Sequence, residues 1–250
     1  MPLLSIITIN RNNANGLDKT IQSVINQSYE DFEYIVIDGN STDHSIDIIK
    51  KYNSNINYWV SETDKGIYNA MNKGIAKANG NYVLFLNSGD YLVNSDVLKS
   101  VFEKQQTADI IYGNMQIDWG NGKITSGKMP VKITFKQMYL DTLWHPVSFI
   151  KKTLFDKYGL YNETYKVVAD YDFFFKAIII NNVTTYHINV DIAMYNLNGL
   201  SSLPENKALE QAERRKVIES YLPQSIIDFA IDTIVPDKLS IFDRLKNKFF

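Results

Sequence analysis

Asp90 ends the run Tyr82-Val83-Leu84-Phe85-Leu86-Asn87-Ser88-Gly89-Asp90, an apolar strand pattern that passes into a polar turn and a carboxylate. A carboxylate there can hold Mg²⁺ or Mn²⁺ against phosphate groups, because phosphates and waters complete the shell around a single protein ligand. A second apolar run, Tyr34-Ile35-Val36-Ile37, ends in Asp38 in the same way. Asp43 and the hydroxyls of Ser41 and Thr42 can cap the helix that follows, so Asp38 comes too early for that duty. It suits a base N–H or a ribose hydroxyl. The loop Asn10-Arg11-Asn12-Asn13-Ala14-Asn15-Gly16 offers amides and a guanidinium that can grip a nucleoside, or simply face solvent. In Glu62-Thr63-Asp64-Lys65-Gly66, Lys65 can meet a base carbonyl or a phosphate, while Asp64 can equally serve the positive start of the next helix.

Later in the chain, Asp170 and Asp172 stand two residues apart in Val168-Ala169-Asp170-Tyr171-Asp172. On a helix start such a pair does not share a face, so the two acids have different jobs. One can act as general base toward an acceptor hydroxyl, and the plain alternative is acids that serve the helix dipole. His145 lies in Trp144-His145-Pro146. With three histidines and no His-x-x-x-His pair, a histidine zinc site is unsupported. His145 reads as a structural residue or as a substrate or metal contact.

These residues need a sheet to bring them together. Over residues 1–112, short apolar runs alternate with amphipathic stretches, the pattern of βαβ units and a parallel sheet with helices on both faces. The expected strands are 3–9, 33–38, 57–60, 82–86 and 109–112. Helices are expected after each loop, with Leu17, Ile21, Val24 and Ile25 on one face of the first and Ile67, Met71, Ile75 and Ala78 on a later one. In such sheets ligands bind at the carboxyl ends of the strands. After residue 112 the pattern changes to a hairpin around Gly120-Asn121-Gly122, short helices at 133–140 and 151–157, and a strand at 148–150. An apolar segment at 171–180, a buried helix or, from its aromatic and β-branched content, a strand, is followed by a strand at 184–190 and a charged surface helix at 205–221.

A chain of 250 residues with 45% apolar and 22% charged residues is an ordinary globular one, and its net charge of −2 argues against nucleic-acid binding. The absence of cysteine excludes disulfides, thiolate zinc sites and cysteine nucleophiles. With no basic leader and no membrane-spanning run, the expected location is the cytoplasm. Residues 237–250 place Leu239, Phe242, Leu245 and Phe249 near one face with basic neighbours. This suits a helix packed on the domain or on a second subunit, or one resting peripherally on an anionic membrane surface.

Taken in order, Ser5-Ile6-Ile7-Thr8-Ile9-Asn10, Ile37-Asp38-Gly39-Asn40-Ser41-Thr42-Asp43, the stretch from Gly66 to Gly74, Phe85-Leu86-Asn87-Ser88-Gly89-Asp90 and Ala169-Asp170-Tyr171-Asp172 resemble family 2 glycosyltransferases. The resemblance covers residues 3–200 and is nearest the branch that builds bacterial exopolysaccharide, capsule or O-antigen. It implies a GT-A fold, an α/β architecture with a Rossmann-like, mostly parallel sheet. Residues 1–112 would form the nucleotide-binding half, 113–200 the acceptor half, and 201–250 a helical extension. It also implies a nucleotide pocket at Thr8, Asn10, Asp38, Asp64 and Lys65, with a divalent cation, Mn²⁺ or Mg²⁺, on Asp90. Asp170 would be the base, with Asp172 and His145 in support. The family's Asp-x-Asp metal motif falls on Ser88-Gly89-Asp90, where only the last acid remains. The implied reaction is inverting transfer from a nucleotide-diphosphate sugar, UDP-linked first, to a saccharide or polyprenyl-diphosphate-linked acceptor. A sugar nucleotidyltransferase and an inactive nucleotide-sugar-binding subunit are the rival readings.

Overall fold

The computed structural model describes residues 1–103, 107–119, 122–197 and 203–234. Its first strand, β1 (Leu4–Asn10), is buried at all seven positions, as a central strand covered on both faces must be. Helix α1 (Ala14–Ile25) follows, started by the Asn13 side chain accepting from the Gly16 amide at 3.2 Å. Its Leu17, Ile21 and Val24 recur at helical spacing and are fully buried. Strand β2 (Phe32–Asp38), helix α2 (Ser45–Lys51) and strand β3 (Tyr58–Ser61) come next. Helix α3 (Ile67–Lys77) starts at Gly66, whose φ of 143° favours glycine. Then come β4 (Tyr82–Phe85), the short β5 (Tyr91–Leu92) and α4 (Val97–Phe102).

The parallel block β3-β2-β1-β4 is what the alternating sequence predicts. Its register matters for chemistry, because Asn10 pairs with Asp38 and Asp38 pairs with Ser61. Three polar residues from three strands thus end in one row, at the carboxyl edge.

Beyond β4 the sheet is mixed. Strand β6 (Ile110–Asp118) forms an antiparallel hairpin with β7 (Ile124–Gly127), whose expected turn at 120–121 lies outside the described residues. Helix α5 (Phe135–Leu140) leads to β8 (Ser148–Lys151), which inserts antiparallel between β4 and β6. The expected fifth parallel strand therefore does not sit directly beside the fourth. Helix α6 (Lys152–Tyr158), helix α7 (Ala169–Phe174) and strand β9 (Thr185–Asn196) complete this half. The expected single helix over 171–180 is α7 continued by a wider π-helical segment, Phe175–Ile180. Phe173, Phe174 and Phe175 are all buried, so this element has no solvent face at that point. Strand β9 pairs parallel with β6 through register shifts, antiparallel with β5, and runs six residues past the expected end at 190, to Asn196.

Helices α8 (Lys207–Tyr221) and α9 (Gln224–Ile234) follow. The expected surface character of 205–221 is corrected by Glu213, Val217 and Ile218, all buried. Arg214 lies 4.0 Å from the centre of the Tyr171 ring and donates to the Asp141 carbonyl at 2.8 Å, which pins α8 onto α7. The amphipathic segment expected at 237–250 lies outside the described residues. No helix among the described residues is long and apolar enough to cross a membrane.

Candidate active site

A cavity of about 700 Å³ opens at the carboxyl ends of β1 and β4, where strand order diverges on either side of β1. Asn10, Asp64, Asp90, His145 and Asp170 all line it. Thr8 and Asp172 do not reach it, and Lys65 is exposed outside its wall. A second cavity of about 750 Å³ lies at the amino ends of β1 and β4, beside Leu3, Tyr82 and Lys151, the opposite end of the sheet from these acids.

The row at the sheet edge is tightly bonded. Asp38 is fully buried, and its carboxylate accepts from Asn10 Nδ2 at 2.7 Å, Ser41 Oγ at 2.6 Å, Ser61 Oγ at 2.7 Å and the Ser41 amide at 2.9 Å. Four donors fill its lone pairs, so in this state Asp38 organises the loop rather than opening to the cavity. Its neighbour is the open group, since Asn10 Oδ1 is buried without a partner among the described residues. Thr8 is fully buried, bonded to the Leu86 carbonyl at 2.8 Å and to the Tyr34 hydroxyl at 2.9 Å, which ties β1 to β4 and β2. Asp64 pairs with Lys73 at 2.6 Å.

Asp90 is 5% exposed, and one carboxylate oxygen accepts from the Asn196 amide at 2.9 Å. Burial pushes its carboxyl up to about 7, against the smaller lowering effects of that amide and of His145. Gly89 before it has φ +105°, and an added Cβ would stand 2.9 Å from Asn196 Nδ2. A second acid at 89 is therefore disfavoured by the backbone itself. Among the described residues no three acidic, histidine or cysteine side chains converge as a metal cage. The donor set does fit a cation shared with substrate phosphates, because Asp90 faces the cavity beside Asn87 Oδ1, which is buried without a partner among the described residues.

Asp170 anchors a chain of polar contacts along the cavity wall. Tyr68 donates to its Oδ1 at 2.9 Å, His145 Nδ1 lies 3.2 Å from its Oδ2, and Asn87 Nδ2 is 3.2 Å from His145 Nε2. Burial raises the Asp170 carboxyl, but the bond and charge of His145 and the Tyr68 hydroxyl more than offset it, and the group lies below its ordinary value. It is a carboxylate at neutral pH, with side-chain exposure of 16%. Asp172 points the other way and accepts from the Tyr221 hydroxyl of α8 at 2.9 Å. The two acids have different surroundings, as their spacing predicts.

Helix α3 brackets the loop before Asp170. Asn72 bonds both backbone groups of Tyr161, at 2.9 and 3.0 Å, and Asn69 and Asn72 each donate to the Glu163 carboxylate. From the far side, Glu213 of α8 accepts from the amides of Lys166 and Val167 at 2.9 and 3.0 Å.

A sheet of this order, with its cavity at the carboxyl ends of the strands, invites comparison with known proteins. The profile described as Glycosyl transferase family 2 matches residues 5–169. The chain belongs to glycosyl transferase family 2. A PGL/p-HBAD biosynthesis glycosyltransferase of Mycobacterium bovis (strain BCG / Pasteur 1173P2) is 31% identical over 208 residues, 80% of each chain. An uncharacterized glycosyltransferase of Haemophilus influenzae is 37% identical over 118 residues, 46% of this chain and 47% of that one. Among solved structures, S. aureus TarS 1-349 in complex with UDP-GlcNAc superposes with a TM-score of 0.64 at 22% identity, covering 78% of this chain and 58% of that chain. Mannosyltransferase PcManGT from Pyrobaculum calidifontis, in complex with GDP-Man and Mn²⁺, gives 0.59 at 15% identity, covering 86% of this chain and 61% of that one. These likenesses show that this family 2 glycosyltransferase has the GT-A fold.

Tyr68 contacts Asp170, Asn196 contacts Asp90, Asn87 contacts His145 and Glu213 holds the loop before Asp170, without having been assigned those places from sequence. Tyr68 and Asn87 lie inside the motif stretches and were legible as members of them. Asn196 and Glu213 had no local signal, because one needs the long β9 and the other resembles any charge on a solvated helix.

Proposed function

We propose that this glycosyltransferase moves a sugar from a nucleotide-diphosphate sugar, UDP-linked first, to a saccharide or polyprenyl-diphosphate-linked saccharide, with inversion, in surface-polysaccharide assembly. The observation that carries the reading is Asp90 and Asp170 facing one cavity, with His145 and Asn87 between them. UDP-GlcNAc and GDP-Man in the TarS and PcManGT complexes, and the PGL/p-HBAD biosynthesis glycosyltransferase among this chain's relatives, support a nucleotide-sugar donor and a glycosyl-transfer reaction.

The nucleoside would lie against the Asn10–Asp38 row and the Asp64-Lys65 loop, where Asn10 Oδ1 offers an unused acceptor. Asp90 would hold Mn²⁺ or Mg²⁺, which when bound offsets the charge of the departing diphosphate. Asp170 accepts the proton of the acceptor hydroxyl as its oxygen bonds to the anomeric carbon and the bond from that carbon to phosphate oxygen breaks. His145 steadies Asp170. Because the attack comes from the face opposite the nucleotide, configuration inverts. Residues 1–112 supply the donor half and 113–200 the acceptor half, with the enzyme working in the cytoplasm at the membrane face where lipid-linked acceptors reside.

The test is donor turnover and transfer with UDP-, GDP-, dTDP- and CMP-sugars and Mn²⁺, in wild type and Asp170→Asn. Donor affinity should be unchanged in the variant while transfer falls by roughly 100-fold or more, the usual scale for a lost general base. Transfer at the wild-type rate by Asp170→Asn would remove Asp170 from the base role. Donor binding without turnover by the wild type would point to a non-catalytic subunit.

A further inference from the structure

The Tyr68 hydroxyl stands between two acceptors. It lies 2.7 Å from the Val167 carbonyl and 2.9 Å from Asp170 Oδ1, and a phenol has one hydrogen to give. Neither acceptor is free to withdraw. Val167 is held by the Glu213 carboxylate, which accepts from the amides of both Lys166 and Val167. Asp170 is held on its other oxygen by His145 at 3.2 Å. The Tyr68 ring is 6% exposed and packs on Tyr161 with ring centres 5.7 Å apart, so the hydroxyl can rotate but the ring cannot leave.

We propose that Tyr68 is a positioning residue for Asp170, a two-position donor that turns to the carboxylate while Asp170 is ionised and to the Val167 carbonyl once Asp170 holds a proton. This rests on Asp170 being the base of the proposed reaction. In the first position the hydrogen bond favours the ionised form. When the acceptor's proton arrives, an O–H bond forms on Asp170 and Tyr68 keeps its own hydrogen. The phenol then donates to Val167, and its oxygen accepts from the new acid. No buried hydrogen loses its acceptor at either stage. The hydroxyl therefore keeps the base ionised beforehand and leaves no buried hydrogen without an acceptor once the base is protonated.

Other groups that bear on Asp170 are His145 from the turn before β8, the Tyr171 amide on α7, Tyr161 from the loop after α6, and Glu210 on α8. Tyr68→Phe leaves all of these in place. The decisive readout is the carboxyl carbon-13 titration of Asp170 in aspartate-labelled protein, its resonance assigned by loss in Asp170→Asn. Tyr68→Phe should raise the midpoint by about one pH unit, the scale of one charge-assisted hydrogen bond. The acid limb of kcat should move up with it, and donor affinity should stay within about twofold. A folded Tyr68→Phe with an unmoved or lower midpoint overturns the proposal. Should Tyr68→Phe fail to fold, fluorotyrosine at position 68, a stronger donor of nearly the same size, must lower the midpoint, and no change overturns it equally. A wild type that turns over no nucleotide sugar sinks the transferase reading alone, since the titration needs no substrate.

Discussion

At the residue scale, the two acids facing the cavity are tuned in opposite directions. Asp170 has charge and hydrogen-bond donors to hold it ionised, whereas Asp90 has burial and few partners, and its carboxyl sits at about 7. The sign for Asp90 follows from linkage. A folded-state value raised above the unfolded one contributes stability that is fully present below the unfolded value near 3.8 and is lost as pH rises through about 7. At about 1.4 kcal/mol per pH unit, the loss across that span is of the order of 4 kcal/mol. Asp90→Asn cannot ionise, so in chelator its melting temperature should rise relative to wild type by several degrees between pH 5 and pH 8.5. Equal pH profiles for the two proteins in a thermal melt would contradict the burial argument. The identity of these acids was legible because each ends an apolar run or opens a helix. Their protonation was not, because it depends on burial and on partners far along the chain, such as Asn196, 106 residues from Asp90, and His145, 25 residues from Asp170.

At the element scale, α8 does more than cover the fold. Glu213 caps two consecutive amides of the loop that presents Asp170, and a carboxylate accepting two backbone N–H groups in a buried place has no simple substitute. Glu213→Ala should cost about 1–3 kcal/mol by denaturant unfolding, the price of leaving buried amides unsatisfied. It should also lower kcat while leaving donor affinity near wild type, because the row at Asn10 and Asp38, the proposed nucleoside contact, belongs to β1 and β2. A lowered donor affinity with unchanged kcat would place the effect of α8 elsewhere. The helix pattern of 205–221 was plain in the sequence, but the one acid of that helix that is buried was indistinguishable from its solvated neighbours. Conversely, α3 was readable in full, since the stretch from Gly66 to Gly74 supplies both its start and the asparagines that grip Tyr161 and Glu163.

At the scale of the whole molecule, the parallel block β3-β2-β1-β4 was legible from alternating periodicity, while in the mixed half the hairpin and the strands at 148–150 and 184–190 were legible but their pairing was not, because β8 and β9 take partners far from them in sequence. Removal of everything after residue 202 tests whether the last helices are an extension or part of the catalytic unit. Buried Val217 and Ile218 and the Arg214–Tyr171 contact argue for the second, so the shortened protein should melt at least several degrees lower and lose transfer. Unchanged melting by calorimetry would make them a true appendage. The insertion of β8 between β4 and β6 also sets an order of events at the ribosome. Every strand of the parallel block has emerged once β4 is made, yet the flank of β4 opposite β1 stays an open edge until residues 148–151 arrive. Through that interval a row of unpaired backbone groups is exposed on a nascent chain, which is where mispairing between copies begins. Closure of that edge thus waits on one four-residue strand.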